Sequence, residues 1–274
     1  HMSMDEVLDG TDLIVESVTT TGLRPVLTKF CDQIKATGKP FVLTSKGIEQ
    51  KSGKLLHEIA EELLGEEYHK KIGCISGPSL ADEVLKKQPT TVVCSGFDRD
   101  VMLEIQEAFN TPYFRVYPNA DISGVEFGGA MKNIIAIACG IVDGLGFGGN
   151  TKAALMTRGL HEMRKLAVAK GCLSETVNGL AGMGDLCVTC LSILSRNYRF
   201  GSLIAQGMTP EQAKEKIGMV VEGANTCVSA CELGEKLSVP LPISEAVRKI
   251  IYEGLDPRDA VGELFTRAIK EEHL

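Results

Sequence analysis

A chain of 274 residues has room for one large domain or two ordinary ones, each with its own core, and two is the better expectation. Hydrophobic residues make up 44% and charged residues 24%, which sets aside disordered and fibrous classes in favour of a globular fold. A formal net charge of -7 argues against nucleic acid or an anionic membrane surface as partner, so an anionic substrate would need local cations.

From Thr11 to about Tyr117, short β-rich runs alternate with helical patterns. Strands are expected at Asp12–Val18, Pro40–Thr44, Lys71–Ser76, Thr90–Ser95 and Tyr113–Val116. Helices are expected between them, around Leu23–Ala36, Lys54–Leu64, Leu80–Lys86 and Asp98–Phe109. That rhythm predicts an α/β unit over residues 1–118, a mostly parallel sheet covered by helices. After Pro118 the strand signal stops. Helical patterns at about Gly124–Gly144, Asn150–Lys170, Thr209–Ile217, Thr226–Leu237 and Ile243–Glu253 predict an all-helical second domain over residues 119–274.

Several patterns call for the plainer reading. Gly144, Gly146 and Gly149 satisfy G-x-G-x-x-G, but the apolar run before them is too long for a strand, so a helix-to-helix turn is expected. Ile134–Val142, the most apolar stretch, falls short of the ~20 residues of a membrane helix, and no span is expected. Cys187 and Cys190 form a C-x-x-C, and Cys227 and Cys231 add two thiols at helical spacing. Small buried residues are the expectation rather than zinc ligands. Nine cysteines without a disulfide framework suit a reducing, cytoplasmic setting. His57, His69 and His161 read as solvated helix residues. His1 and Met2 read as a cloning remnant, and no secretory leader precedes an apolar run.

A few residues could carry chemistry. In the helix over Gly124–Gly144 the i, i+4 row reads Gly128, Lys132, Ala136, Gly140, Gly144, so one lysine projects from a stripe of small residues. An apolar surround would lower its pKa and make it a proton donor; a lysine snorkelling out of a tight helix pair is the alternative. Lys46 follows the strand at Pro40–Thr44, at the carboxyl end where ligands collect in parallel sheets. In the next β-α connection, Gly77 and Ser79 would let backbone amides and a hydroxyl approach a ligand, or Ser79 caps a helix. Ser195, Arg196 and Asn197 could hold a phosphate through an arginine fork, or lie on a solvated surface. Asp185 sits in another glycine-relaxed turn.

Taken in order, several blocks resemble the NAD(P)-dependent glycerol-3-phosphate dehydrogenase family, close to its bacterial type. They are TSKGIE at Thr44–Glu49, GPSLADEV at Gly77–Val84, the long block from Gly124 to Met163, GLAGMGDLCVTCLSILSRNYRFG at Gly179–Gly201, and VVEGANT at Val220–Thr226. The resemblance implies a Rossmann-like sheet followed by a helical substrate domain of the 6-phosphogluconate dehydrogenase C-terminal type. It implies reversible reduction of dihydroxyacetone phosphate to sn-glycerol 3-phosphate with NAD or NADP as cofactor, feeding glycerophospholipid synthesis, in a cytoplasmic enzyme that would pair as a homodimer. Lys132 would be the acid-base group, with Lys46 and Asp185 beside it in catalysis. Gly77, Ser79, Ser195, Arg196 and Asn197 would join those three in binding substrate. Lys46, Ala81, Arg196, Val220 and Glu222 would meet the cofactor. The family opens with a Gly-rich strand-turn-helix that has no match here, because the first strand is followed by Thr19-Thr20-Thr21-Gly22. Its proline after that strand is also replaced, in Glu16-Ser17-Val18-Thr19. The expectation is a Rossmann-like sheet lacking roughly its first two βα units, about 60 to 80 residues, with a non-catalytic phosphate-binding or assembly module as the alternative function.

Overall fold

The computed structural model describes residues 3–269 and 271–272. A short α1 (Met4–Leu8), closed by a Ser3–Glu6 capping box, leads into the sheet half. There β1 (Ile14–Glu16), α2 (Thr20–Thr37), β2 (Phe41–Leu43), α3 (Leu56–Leu64), a 3-10 segment (Glu66–Lys71) and β3 (Ile72–Ser76) follow one another. They are succeeded by α4 (Ala81–Leu85), β4 (Thr90–Gly96), α5 (Arg99–Phe109) and β5 (Phe114–Asn119). The strands lie in the order β1-β2-β3-β4-β5. β1, β2 and β3 are parallel; β4 returns antiparallel to β3, and β5 runs parallel to β4.

Strand β2 has all three residues buried, as a strand covered on both faces requires. Leu23, Leu27, Ile59 and Leu64 cover one face together with Phe41 and Leu43. Val101, Met102 and Ile105 of α5 cover the other against Val42, Val92 and Cys94. The mostly parallel sheet expected from the alternating pattern is therefore present, and β1 stands at one edge.

The helical half consists of α6 (Ile122–Gly144), α7 (Gly149–Ala169), α8 (Ser174–Val177), a π turn (Leu180–Gly184), α9 (Asp185–Leu191) and α10 (Arg196–Ala205). It continues with α11 (Pro210–Ile217), α12 (Glu222–Lys236), α13 (Pro242–Tyr252) and α14 (Pro257–Phe265). Helix α6 is the axis of the molecule. Asp121 caps it by accepting from Gly124 N–H at 2.9 Å. It is buried from Gly124 through Val142, and α7, α9, α10 and α12 pack around it. By length and composition α6 could cross a membrane, but its apolar window is wholly buried within the protein, which is how a core helix that is apolar all round behaves. Each fully buried isoleucine on it (Ile134, Ile135, Ile137) contributes about 1.5–3 kcal/mol.

Small residues let α10 lie almost in backbone contact with α6. A Cβ at Gly140 would sit 1.9 Å from the Tyr198 carbonyl oxygen, and one at Gly201 2.0 Å from that of Ile137. Neither neighbour is a flexible side-chain end, so α10 would have to move. Gly140→Val is therefore expected to destabilise the protein by at least about 1–3 kcal/mol, seen as a lower thermal midpoint; an unchanged midpoint would refute this account of the packing.

The structure bears out one local reading and alters three. The glycines at 144–149 form the turn from α6 into α7, so the G-x-G-x-x-G match is indeed a helix-to-helix connection. Ser79 does not cap α4, whose N-cap is Leu80; its hydroxyl donates instead to the Gly77 carbonyl at 3.1 Å. Asp185 is no loop residue but the first residue of α9, and Arg196 is the first of α10. The expectation of a solvated His57 is wrong: it is 4% exposed, with Nδ1 2.9 Å from Glu126 of α6 and its backbone N–H donating to the same carboxylate. Burial alone would lower its pKa, but Glu126 opposes that and the net shift is upward. The cause is tertiary, since α6 covers the start of α3 and places an acid there.

Candidate active site

The site is assembled from α6, α9 and the loop after β2. Gly128 and Gly129 make a shallow place on α6, where a Cβ at Gly129 would sit 2.8 Å from Ser76 Oγ and 3.3 Å from Lys46 Cδ. The bare glycine lets the Lys46 stem cross the helix. Its Nζ then meets Asp185 Oδ2 at 2.8 Å. One turn further along α6, Lys132 reaches the other oxygen of the same carboxylate, Oδ1, at 2.5 Å and Thr189 Oγ1 at 2.9 Å. Thr189 in turn donates to the Asp185 carbonyl at 2.6 Å, which fixes its hydroxyl so that a lone pair faces the ammonium.

Two ammonium groups thus share one carboxylate in a nearly dry place. Lys132 is 7% and Asp185 1% exposed, while Lys46 is partly exposed. Burial lowers the Lys132 pKa most, the charge of Lys46 lowers it further, Asp185 opposes both, and the result is about 8. Burial pushes Asp185 upward, but Lys46 and Lys132 outweigh it and the acid stays ionised. Two positive charges and one negative leave the cluster with a net positive charge, and Lys132 has one of its three N–H donors uncommitted among the described residues. Such a place can receive an oxygen that gains negative charge and can hand it a proton. The snorkelling alternative for Lys132 is excluded by its burial.

The other residues singled out in the sequence lie on α4, α10, α12 and the turns before them. Pro78, between Gly77 and Ser79, lies 3.6 Å from where a Cβ of Gly184 would stand, so that turn abuts the residue before Asp185. Ser79 and Ala81 are exposed at the start of α4. Ser195 caps α10 by accepting from Tyr198 N–H at 3.2 Å. Arg196 is exposed beside it. Asn197 is buried and works inward: its amide donates to Asn133 Oδ1 at 3.0 Å, and its carbonyl oxygen accepts from Gly223 N–H at 2.9 Å. One N–H of Asn197 remains for a ligand, and the chain Asn133–Asn197–Gly223 ties the helix of Lys132 to α10 and α12. Glu222 starts α12 near Thr20 and Arg196, with its pKa raised by burial. Val220, 42% exposed, precedes it. Lys46 and Lys132 therefore each bond Asp185, Asn197 is tied to the helix of Lys132 through Asn133, and Glu222 lies near Arg196.

Sequence reading missed Thr189, Asn133, Ser76 and Thr20. Thr189 stands one helical turn after Asp185 and was legible only once a helix was known to start there. The thiols of Cys187 and Cys190 lie on α9 and those of Cys227 and Cys231 on α12; all four are free, and no group of metal-ligating side chains occurs among the described residues.

The chain is similar to known proteins along most of its length. The profile of the NAD-dependent glycerol-3-phosphate dehydrogenase N-terminus matches residues 1–102 and that of its C-terminus residues 121–262. The chain is 59% identical to a glycerol-3-phosphate dehydrogenase (NAD(P)+) of Protochlamydia amoebophila, over 99% of this chain and 81% of that protein. It is 53% identical to the enzyme of the same name from Chlamydia trachomatis over the same shares. Among solved structures, glycerol-3-phosphate dehydrogenase of Coxiella burnetii superposes with a TM-score of 0.92 at 38% identity, covering 97% of this chain and 81% of that one. By both halves of its sequence and by its fold, the chain belongs to the NAD-dependent glycerol-3-phosphate dehydrogenases.

Proposed function

We propose that Lys132 is the proton donor in the reduction of dihydroxyacetone phosphate to sn-glycerol 3-phosphate, with Asp185 and Lys46 setting its charge and position. The observation that carries this is the buried Lys132–Asp185–Lys46 cluster, in which burial lowers the ammonium pKa to about 8. As the ketone carbon is reduced, its oxygen takes the proton from the free N–H of Lys132, leaving a neutral amine; in the oxidation of glycerol 3-phosphate that amine takes the hydroxyl proton back. Lys46 adds positive charge where the oxygen becomes negative. Asp185 holds both ammonium groups in place and keeps Lys132 from losing its proton too early. Exposed Arg196, with Ser195 and Asn197 at the start of α10, receives the phosphate, helped by the N-terminal end of the helix dipole. Gly77 and Ser79 close the opposite side.

When bound, NAD or NADP supplies the hydride. One carboxylate oxygen of Glu222 is buried with no hydrogen-bond partner among the described residues, so the start of α12 offers a polar group to a ligand and fits the cofactor. Lys46, Ala81, Arg196, Val220 and Glu222 would hold it. The same reading divides the chain at residues 118/119, supported by the separate family matches. It sets the enzyme in the cytoplasm, supported by nine free thiols, and makes it a homodimer. Light scattering reads the last point directly.

The test is the pH dependence of kcat/KM. The reducing direction needs protonated Lys132, so its rate stays level below about pH 8 and falls as pH rises through that value. The oxidising direction needs the neutral amine and rises through the same value. Profiles that moved together in both directions would contradict the role given to Lys132.

A further inference from the structure

Next in sequence to Arg196 stand exposed apolar side chains for which a small polar phosphoester has no use. Leu191 and Ile193 are 62% and 74% exposed, and Leu194 is 46% exposed. They form the link between α9, which carries Asp185 and Thr189, and α10, which begins at Arg196. Facing them is the start of α4, where Leu80 and Glu83 follow directly on Gly77 and Ser79. An open gap of about 770 Å³ lies between, lined by Leu80 and Glu83 on one side and by Val188, Leu191, Ile193 and Leu194 on the other. At one end of the gap the two edges already meet, where Pro78 approaches Gly184. Scattered exposed apolar residues are ordinary, but a contiguous group beside a catalytic cleft calls for something to cover it.

We infer that these edges are a pair of apolar lips that close on each other when the phosphoester binds. The inference rests on the site reading above and adds to it. The link 191–194 is short and bonded to itself, with Leu194 N–H donating to Ser192 Oγ at 3.2 Å and Ser195 N–H to the Ser192 carbonyl at 3.1 Å, so it moves with the N-terminus of α10. An anion held by Arg196 and Asn197 on one side and by Ser79 on the other draws the two edges together. Leu80 then covers Leu191, Ile193 and Leu194, and their burial supplies the closing force. Closure removes water from above the Lys132 ammonium, where a drier surround strengthens every charge interaction of the site.

The protein contains no tryptophan, so Ile193→Trp places a single reporter on the lip. Binding of sn-glycerol 3-phosphate is followed by calorimetry for the parent chain and the variant, and by indole emission and acrylamide quenching for the variant. Phe265→Trp on α14 serves as a control. The lip predicts a shift of emission to shorter wavelength at saturation and quenching reduced by half or more, with the control unchanged. Binding heat in both proteins with unchanged emission overturns the lip while leaving the site reading intact. Absence of binding heat in the parent overturns the site reading and the lip with it. Loss of binding in Ile193→Trp alone, or an equal shift in the control, overturns the lip.

Discussion

Replacing Lys132 by alanine is expected to lower kcat for dihydroxyacetone phosphate reduction by about 10²- to 10⁴-fold, the range that a positioned proton donor contributes. KM should change little, because the phosphate side of the site, at Ser195–Asn197, is separate from the lysine. Removing the amine also leaves Asp185 paired with Lys46 alone, at 2.8 Å, so the cluster loses a positive charge but keeps a satisfied carboxylate. The fold should survive. Lys132→Arg is expected to fail almost as badly, since a guanidinium does not give up its proton in this pH range. Loss of NADH absorbance with time measures both variants. Activity within a few-fold of the parent in Lys132→Ala would remove the lysine from the mechanism.

The second large effect is expected at Asp185. Asp185→Asn keeps the shape but leaves Lys132 and Lys46 near each other in a buried place without an anion between them. Removing one partner of a buried pair costs about 3–5 kcal/mol, because the remaining charges stay desolvated. Chemical unfolding should show that loss directly. Activity should fall for a separate reason: Asp185 is the group that keeps the Lys132 pKa from dropping further, so in its absence the lysine is less protonated at neutral pH. The falling limb of the reduction profile should therefore move to lower pH. A variant as stable as the parent, with an unmoved profile, would mean that the carboxylate neither holds nor tunes the two lysines.

Much of this was legible in the sequence, and for physical reasons. The sheet half announced itself because buried parallel strands such as Phe41–Leu43 are continuous apolar runs between amphipathic helices. Helix α6 was legible because its small residues recur at helical spacing, with one lysine among them that could donate a proton or snorkel outward. The small residues left a tight helix pair open as one reading, and Gly140 does lie against α10. What stayed hidden depends on elements meeting in space. Helix α9 is short and follows a glycine-rich π turn, so LCVTCL carried little periodicity. Without α9, the i, i+4 relation of Asp185 to Thr189 could not be read. His57 was misjudged because its partner, Glu126, lies far along the chain on α6. Asn197 was expected to face a phosphate, and half of its bonding capacity instead joins Asn133 and Gly223, a link that no local pattern encodes.

The titration of the Lys132 amine itself tests the account most directly, followed by nuclear magnetic resonance of the labelled side-chain nitrogen with Asp185 and Lys46 intact. The account predicts a midpoint near pH 8 that falls in Asp185→Asn. A midpoint at about 10.4, the value of a lysine in water, would contradict it.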